Sequence, residues 1–155
     1  VTDFDRCYQA ALRILNYRFN SAAELRRKLA AKNFDHETVA AVITRLRDEK
    51  WLDDERFAEA FVRTRMRKRI GQLRIRRELM AAGVDDDVAA DALRRNADVE
   101  GERESAVAIA RKRAARLDLS SAEGRNKLTA YLLKQGYDAA LIRDVIKEIR
   151  VVDHQ

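Results

Sequence analysis

Apolar positions recur at helical spacing along almost the whole chain. Val39, Val42, Ile43 and Leu46 fall at i, i+3, i+4 and i+7, the stripe of a helix with one buried face. Asp35 precedes it as a cap. Before that cap, Asn33 is a residue that tolerates the left-handed conformation in which helices stop, and Phe34 is placed to pack back on the stop. Upstream, Ser21 and Glu24 form a capping box for a helix whose apolar pair is Leu25 and Leu29, and residues 5–19 read as a helix through Leu12 and Leu15. The first part of the chain therefore predicts three short helices.

The same order of signals returns twice. Leu25 and Leu29 correspond to Ile75 and Leu79 and to Leu128 and Leu132, and the stop at Asn33 recurs as Gly83 and Gly136. An apolar residue follows each stop (Phe34, Val84, Tyr137), then a capping aspartate (Asp35, Asp85, Asp138). The third-helix stripe is matched by Ala89, Ala92 and Leu93 and by Ile142, Val145 and Ile146. Units of this kind bury little alone and stack on neighbours. The expected fold is all-α: three tandem three-helix repeats of about fifty residues, at 1–50, 51–97 and 98–155, stacked into an elongated, curved solenoid-like array. The long helix opening the third repeat, 99–117, ends in Arg111, Lys112, Arg113 and Arg116. Ser120 or Ser121 caps the next, although Gly124 weakens its start. The polar stretch 94–102 is the expected bend.

In the middle repeat, Asp53 or Asp54 caps a helix on which Phe57, Phe61 and Thr64 share a face, so the aromatic pair is expected to be buried. Arg56, Arg63 and Arg67 lie opposite. After Gly71 the next helix buries Ile75 and Leu79 and turns Arg74 and Arg77 outward. Trp51 is expected to fill the seam between the first two repeats; the alternative is an exposed stacking aromatic.

Charge sharpens this picture. Lys and Arg number 32 against 26 Asp and Glu, a formal charge of +6, and between Phe61 and Arg77 eight basic residues meet no acidic one. A solvated helix surface paired with acids elsewhere would account for an isolated run of this kind. Two adjacent helices that turn their charges outward around one corner point instead to an anionic partner, nucleic acid first and acidic protein second. On helical geometry the leading contacts are Arg56, Arg63, Arg67, Lys68, Arg74 and Arg77, followed by Arg26, Arg27 and Lys28.

Chemistry beyond charge is sparse. The single cysteine, Cys7, forms no internal disulfide and reads as helix filler. His36 and His154 lack a nucleophile at a recognisable spacing, no glycine-rich phosphate loop is present, and the aspartate pairs sit where helix caps belong. No enzyme activity, cofactor or metal is expected. Without a signal-peptide core or an apolar run of the roughly 20 residues that span a bilayer, the expectation is a cytoplasmic monomer with no membrane association. Val at position 1 fits a numbering that starts after the initiator residue.

The run Trp51-Leu52-Asp53-Asp54-Glu55-Arg56-Phe57-Ala58 resembles the signature of the RecX family of bacterial RecA regulators, which carries a leucine, paired aspartates and Arg-Phe-Ala. The segment with Gly71, Ile75, Glu78, Leu79 and Gly83 looks like that family's central repeat. ALRILNYRFNSAAELRRKL looks like its first repeat and KLTAYLLKQGYDAALIRDVI like its last, so the resemblance covers nearly the full chain. Asn33 departs from it, standing where the family usually has glycine. The resemblance implies a non-enzymatic modulator that lies in the groove of the RecA filament on single-stranded DNA and restrains its ATPase and strand-exchange activities. The runner-up is a direct binder of single- or double-stranded DNA built from tandem helix-turn-helix-like units. A structural solenoid with no nucleic-acid role comes third.

Overall fold

A computed structural model describes residues 1–152 and contains helices and turns, with no strand among the described residues. In chain order the helices are α1 (Asp3–Tyr17), α2 (Ala22–Ala31), α3 (His36–Asp48), α4 (Asp54–Arg67), α5 (Gln72–Ala81), α6 (Asp86–Arg95), α7 (Val99–Ala114), α8 (Ala122–Gln135) and α9 (Ala139–Val152). The chain divides into two compact units, Val1–Phe61 with Glu78–Ala92, and Val62–Arg77 with Leu93–Gln155.

In the first unit α1 packs on α2 and α3, and α2 packs on α3. Cys7 and Ala11 of α1, Leu25 and Leu29 of α2, and Val39, Val42, Ile43 and Leu46 of α3 are buried together with Leu52. Leu12 and Leu15 only border this core, because α1 presents its small residues to its neighbours and keeps its larger ones at the margin. In the second unit α7 packs on α8 and α9, and α8 packs on α9. There Ala106, Ala110, Leu128, Leu132, Tyr137, Ile142, Val145, Ile146 and Ile149 form the core.

The repeated stops are the same structure three times. Asn33, Gly83 and Gly136 all have positive φ (71°, 82° and 103°). In each case the following amide donates back into the last turn: Phe34 to the Leu29 carbonyl, Val84 to Leu79 and Tyr137 to Leu132. Two further stops, Lys50 (φ 64°) and Arg69 (φ 61°), use residues that carry no sequence signal for this conformation.

Four expectations need correction. Trp51 does not fill a seam: it is 59% exposed, and Leu52, 3% exposed, takes the buried place. The left-handed Lys50 turns the chain so that the amides of both Trp51 and Leu52 reach the Leu46 carbonyl, which sends the second side chain inward and the first outward. The buried row of α4 is Phe57, Ala58 and Val62; Phe61 is half-buried and stacked on Phe57 at 5.8 Å, and Thr64 is exposed. Arg74 is half-buried, its Nη1 donating to Gln135 Oε1 at 3.4 Å. Gly124 does not weaken α8: it is buried, and a methyl there would overlap the Asp118 carbonyl.

Candidate functional site

The basic segment of the second unit runs from the end of α4 through a turn into α5. Lys68 and Arg69 lie just past the helix; the Arg69 amide donates to the Met66 carbonyl and the Ile70 amide to Arg65. The turn is pinned from below. Tyr137, 1% exposed, donates its hydroxyl to the Arg69 carbonyl at 2.6 Å. Burial pushes that phenol well above its ordinary range, and the nearby Glu102 carboxylate adds to the shift. Next, the Gly71 amide donates to the Gln135 carbonyl at 2.8 Å and the Leu73 amide to the Gly136 carbonyl at 3.1 Å. The first turn of α5 thus has two of its otherwise orphaned donors satisfied by the end of α8. Gly71 has to be glycine, because a Cβ would overlap the Gly136 carbonyl.

On this support Arg63, Arg67, Lys68, Arg69, Arg76 and Arg77 are exposed, while Arg65 and Arg74 are half-buried. Arg67, Lys68 and Arg77 are therefore brought to the surface of one unit together with Arg63, and Arg74 is partly withdrawn. Glu102 lies close by, half-buried and accepting from Gln72 Nε2 at 2.9 Å; burial raises its carboxyl above the usual range.

Of the candidates in the first unit, Arg56 and Arg27 are exposed, Arg26 is half-buried, and Lys28 is turned aside to donate to the Asn20 side-chain Oδ1 at 2.5 Å. Three consecutive helical residues point in three directions, so Arg26, Arg27 and Lys28 do not form one patch. His36 is exposed on the first turn of α3, and His154 lies outside the described residues. Among the described residues no cluster of three His, Cys, Asp or Glu side chains could hold a metal.

The first unit also has a groove of about 520 Å³ between α1, the segment after it, and the start of α4. Leu12, Leu15 and Phe57 line it with Trp51, Phe19, Arg13 and Arg56. The two neighbouring aspartates at the start of α4 have separate tasks. Asp53 Oδ1 accepts from the Glu55 and Arg56 amides, capping its own helix, and Asp54 Oδ1 accepts from the Ala22 amide at 2.8 Å, capping α2. Ser21 completes that second cap through the Glu24 amide while its hydroxyl donates to the Ala82 carbonyl.

Models of three family domains match the chain in order: "RecX, first three-helix domain" over residues 7–46, the second over 53–93 and the third over 100–146. The chain belongs to the RecX family. Regulatory protein RecX of Clostridium botulinum (strain Alaska E43 / Type E3) is 32% identical over 146 residues, 92% of this chain and 68% of that protein. Regulatory protein RecX of Xanthomonas campestris pv. campestris (strain B100) is 37% identical over 136 residues, 87% of this chain and 82% of that one. The crystal structure of RecX from Lactobacillus salivarius superposes with a TM-score of 0.84 at 30% identity, covering 96% of this chain and 97% of that one.

Within a RecX fold, three features were hidden from sequence reasoning. The reach of Asp54 to a different helix had no local cue, since a capping aspartate looks the same whichever amide it serves. Tyr137 reads as the apolar residue after a stop, and only its buried hydroxyl ties it to the basic turn. The groove needed the outward turn of Trp51, set by Lys50.

Proposed function

We propose that this RecX-family regulatory protein restrains RecA by binding in the groove of the RecA filament on single-stranded DNA, lowering its ATPase and strand-exchange activities. It acts as a cytoplasmic monomer without catalysis or cofactor, its three repeats at 1–50, 51–97 and 98–155 carrying the contact surface. The observation that supports this most directly is the acid-free basic segment 62–77, whose turn is held by Tyr137 and whose Arg67, Lys68 and Arg77 reach solvent. A fixed cationic surface loses little entropy on meeting an anionic groove, and long-range attraction speeds the encounter.

The test is the ATPase of RecA on single-stranded DNA, measured across a salt series with wild type and with Arg67→Glu combined with Arg77→Glu. The wild type inhibits, and less so as salt rises. The double variant needs on the order of ten-fold more protein for the same inhibition, with an unchanged unfolding midpoint. Equal inhibition by a folded double variant would remove the basic segment from the contact.

Direct binding to DNA is the second reading. It is favoured by a specific feature, the exposed Trp51 beside Arg56 in the groove of the first unit.

A further inference from the structure

Most of the segment 51–58 is consumed by the fold. Leu52, Phe57 and Ala58 are buried, Asp53 caps α4 and Asp54 caps α2. Trp51 and Arg56 instead reach solvent, and both line the same groove. Phe19 stands there too, so two large aromatic side chains, 59% and 58% exposed, share one concave surface. Leaving that much apolar area in water is unfavourable unless something covers it.

The backbone places the Trp51 ring without burying it. After the left-handed Lys50 the Trp51 amide donates to the Leu46 carbonyl at 2.9 Å, and more than half of the residue stays open to solvent. Around it the polar lining is cationic and amide: Arg13, Arg56, Gln9 and Asn16. The carboxylate in the lining, Asp53, is committed to the α4 amides.

A complementary ligand has a flat face, edges that exchange hydrogen bonds with amides, and negative charge on either side. An unpaired nucleobase within a phosphodiester chain has all three. A duplex keeps its base faces stacked, and an apolar protein anchor would leave both guanidinium groups without a partner. We infer that this groove takes a base of single-stranded nucleic acid, stacked on Trp51 with Phe19 as the second aromatic wall and the flanking phosphates on Arg13 and Arg56, a role that rests on the direct-DNA reading.

Trp51 is the chain's single tryptophan, so its fluorescence reports on the groove alone. The full chain is titrated with a short oligothymidine, with an abasic phosphodiester of equal length and with a duplex, and affinities are read in parallel from the anisotropy of a labelled oligonucleotide. Oligothymidine quenches the fluorescence and binds more tightly than the abasic chain or the duplex. Trp51→Ala weakens oligothymidine binding on the order of ten-fold, and Trp51→Phe keeps most of the affinity. Equal binding by Trp51→Ala and wild type, with both still salt-sensitive, overturns the base site and leaves direct DNA binding in place. Oligonucleotide binding undetectable in a wild type that still inhibits RecA overturns both and leaves the filament role standing. Loss of RecA inhibition in Trp51→Ala with oligothymidine binding unchanged gives the groove to a protein partner and likewise overturns the base site.

Discussion

A buried position and a merely apolar one differ by several kcal/mol, and α4 separates the two within one turn. Phe57 is 5% exposed and Phe61 is half-buried beside it. Phe57→Ala is expected to cost about 3 to 5 kcal/mol and Phe61→Ala clearly less, measured by denaturant unfolding; equal losses would mean that α4 is rotated from the position described. Glu102 offers a second residue-level check. Burial raises its carboxyl above the ordinary value, with Asp138 adding to the shift and the Gln72 hydrogen bonds opposing it. The folded protein therefore holds that proton more tightly than the unfolded chain does. The stability this group contributes is fully present below the unfolded pKa and is lost as pH rises through the folded one. Glu102→Gln, which still accepts from Gln72, should raise the unfolding midpoint at neutral pH, with the gain fading as pH falls through the carboxylate range. No gain at neutral pH would show the carboxylate to be well solvated.

At the scale of elements, the helices and their stops were legible in the sequence because their causes are local. Ser21 and Glu24 form the capping box reciprocally, Asp35 and Asp138 accept from amides of the helices they precede, and Asn33, Gly83 and Gly136 all turn left-handed. What stayed hidden depends on partners outside the helix that carries the residue. By intrinsic preference alone, glycine in the first turn of α8 costs about 1 kcal/mol relative to alanine. Packing reverses the sign here, since the methyl of Gly124→Ala would enter the Asp118 carbonyl. That substitution should lower the thermal midpoint; a rise would mean that the loop before α8 yields easily. The candidate site was legible to a similar degree. The run of arginines and its exposed members could be read from spacing, but the withdrawal of Arg74 toward Gln135 and the diversion of Lys28 to Asn20, in the segment before α2, have no signature in helical periodicity.

For the whole molecule, the repeat in the sequence and the bonds in the structure divide the chain differently. Copies of fifty residues suggest beads that could be cut apart. Yet α2 begins on acceptors supplied by Asp54 and Ala82, and α5 begins on the carbonyls of Gln135 and Gly136. A fragment ending near residue 97 would keep the entire middle copy and still leave the Gly71 and Leu73 amides with only water to donate to. Of the three copies only the last starts its second helix on its own residues, with Ser121 accepting from the Gly124 amide, so a duplication that separated either earlier copy from its neighbour would be born with an open end.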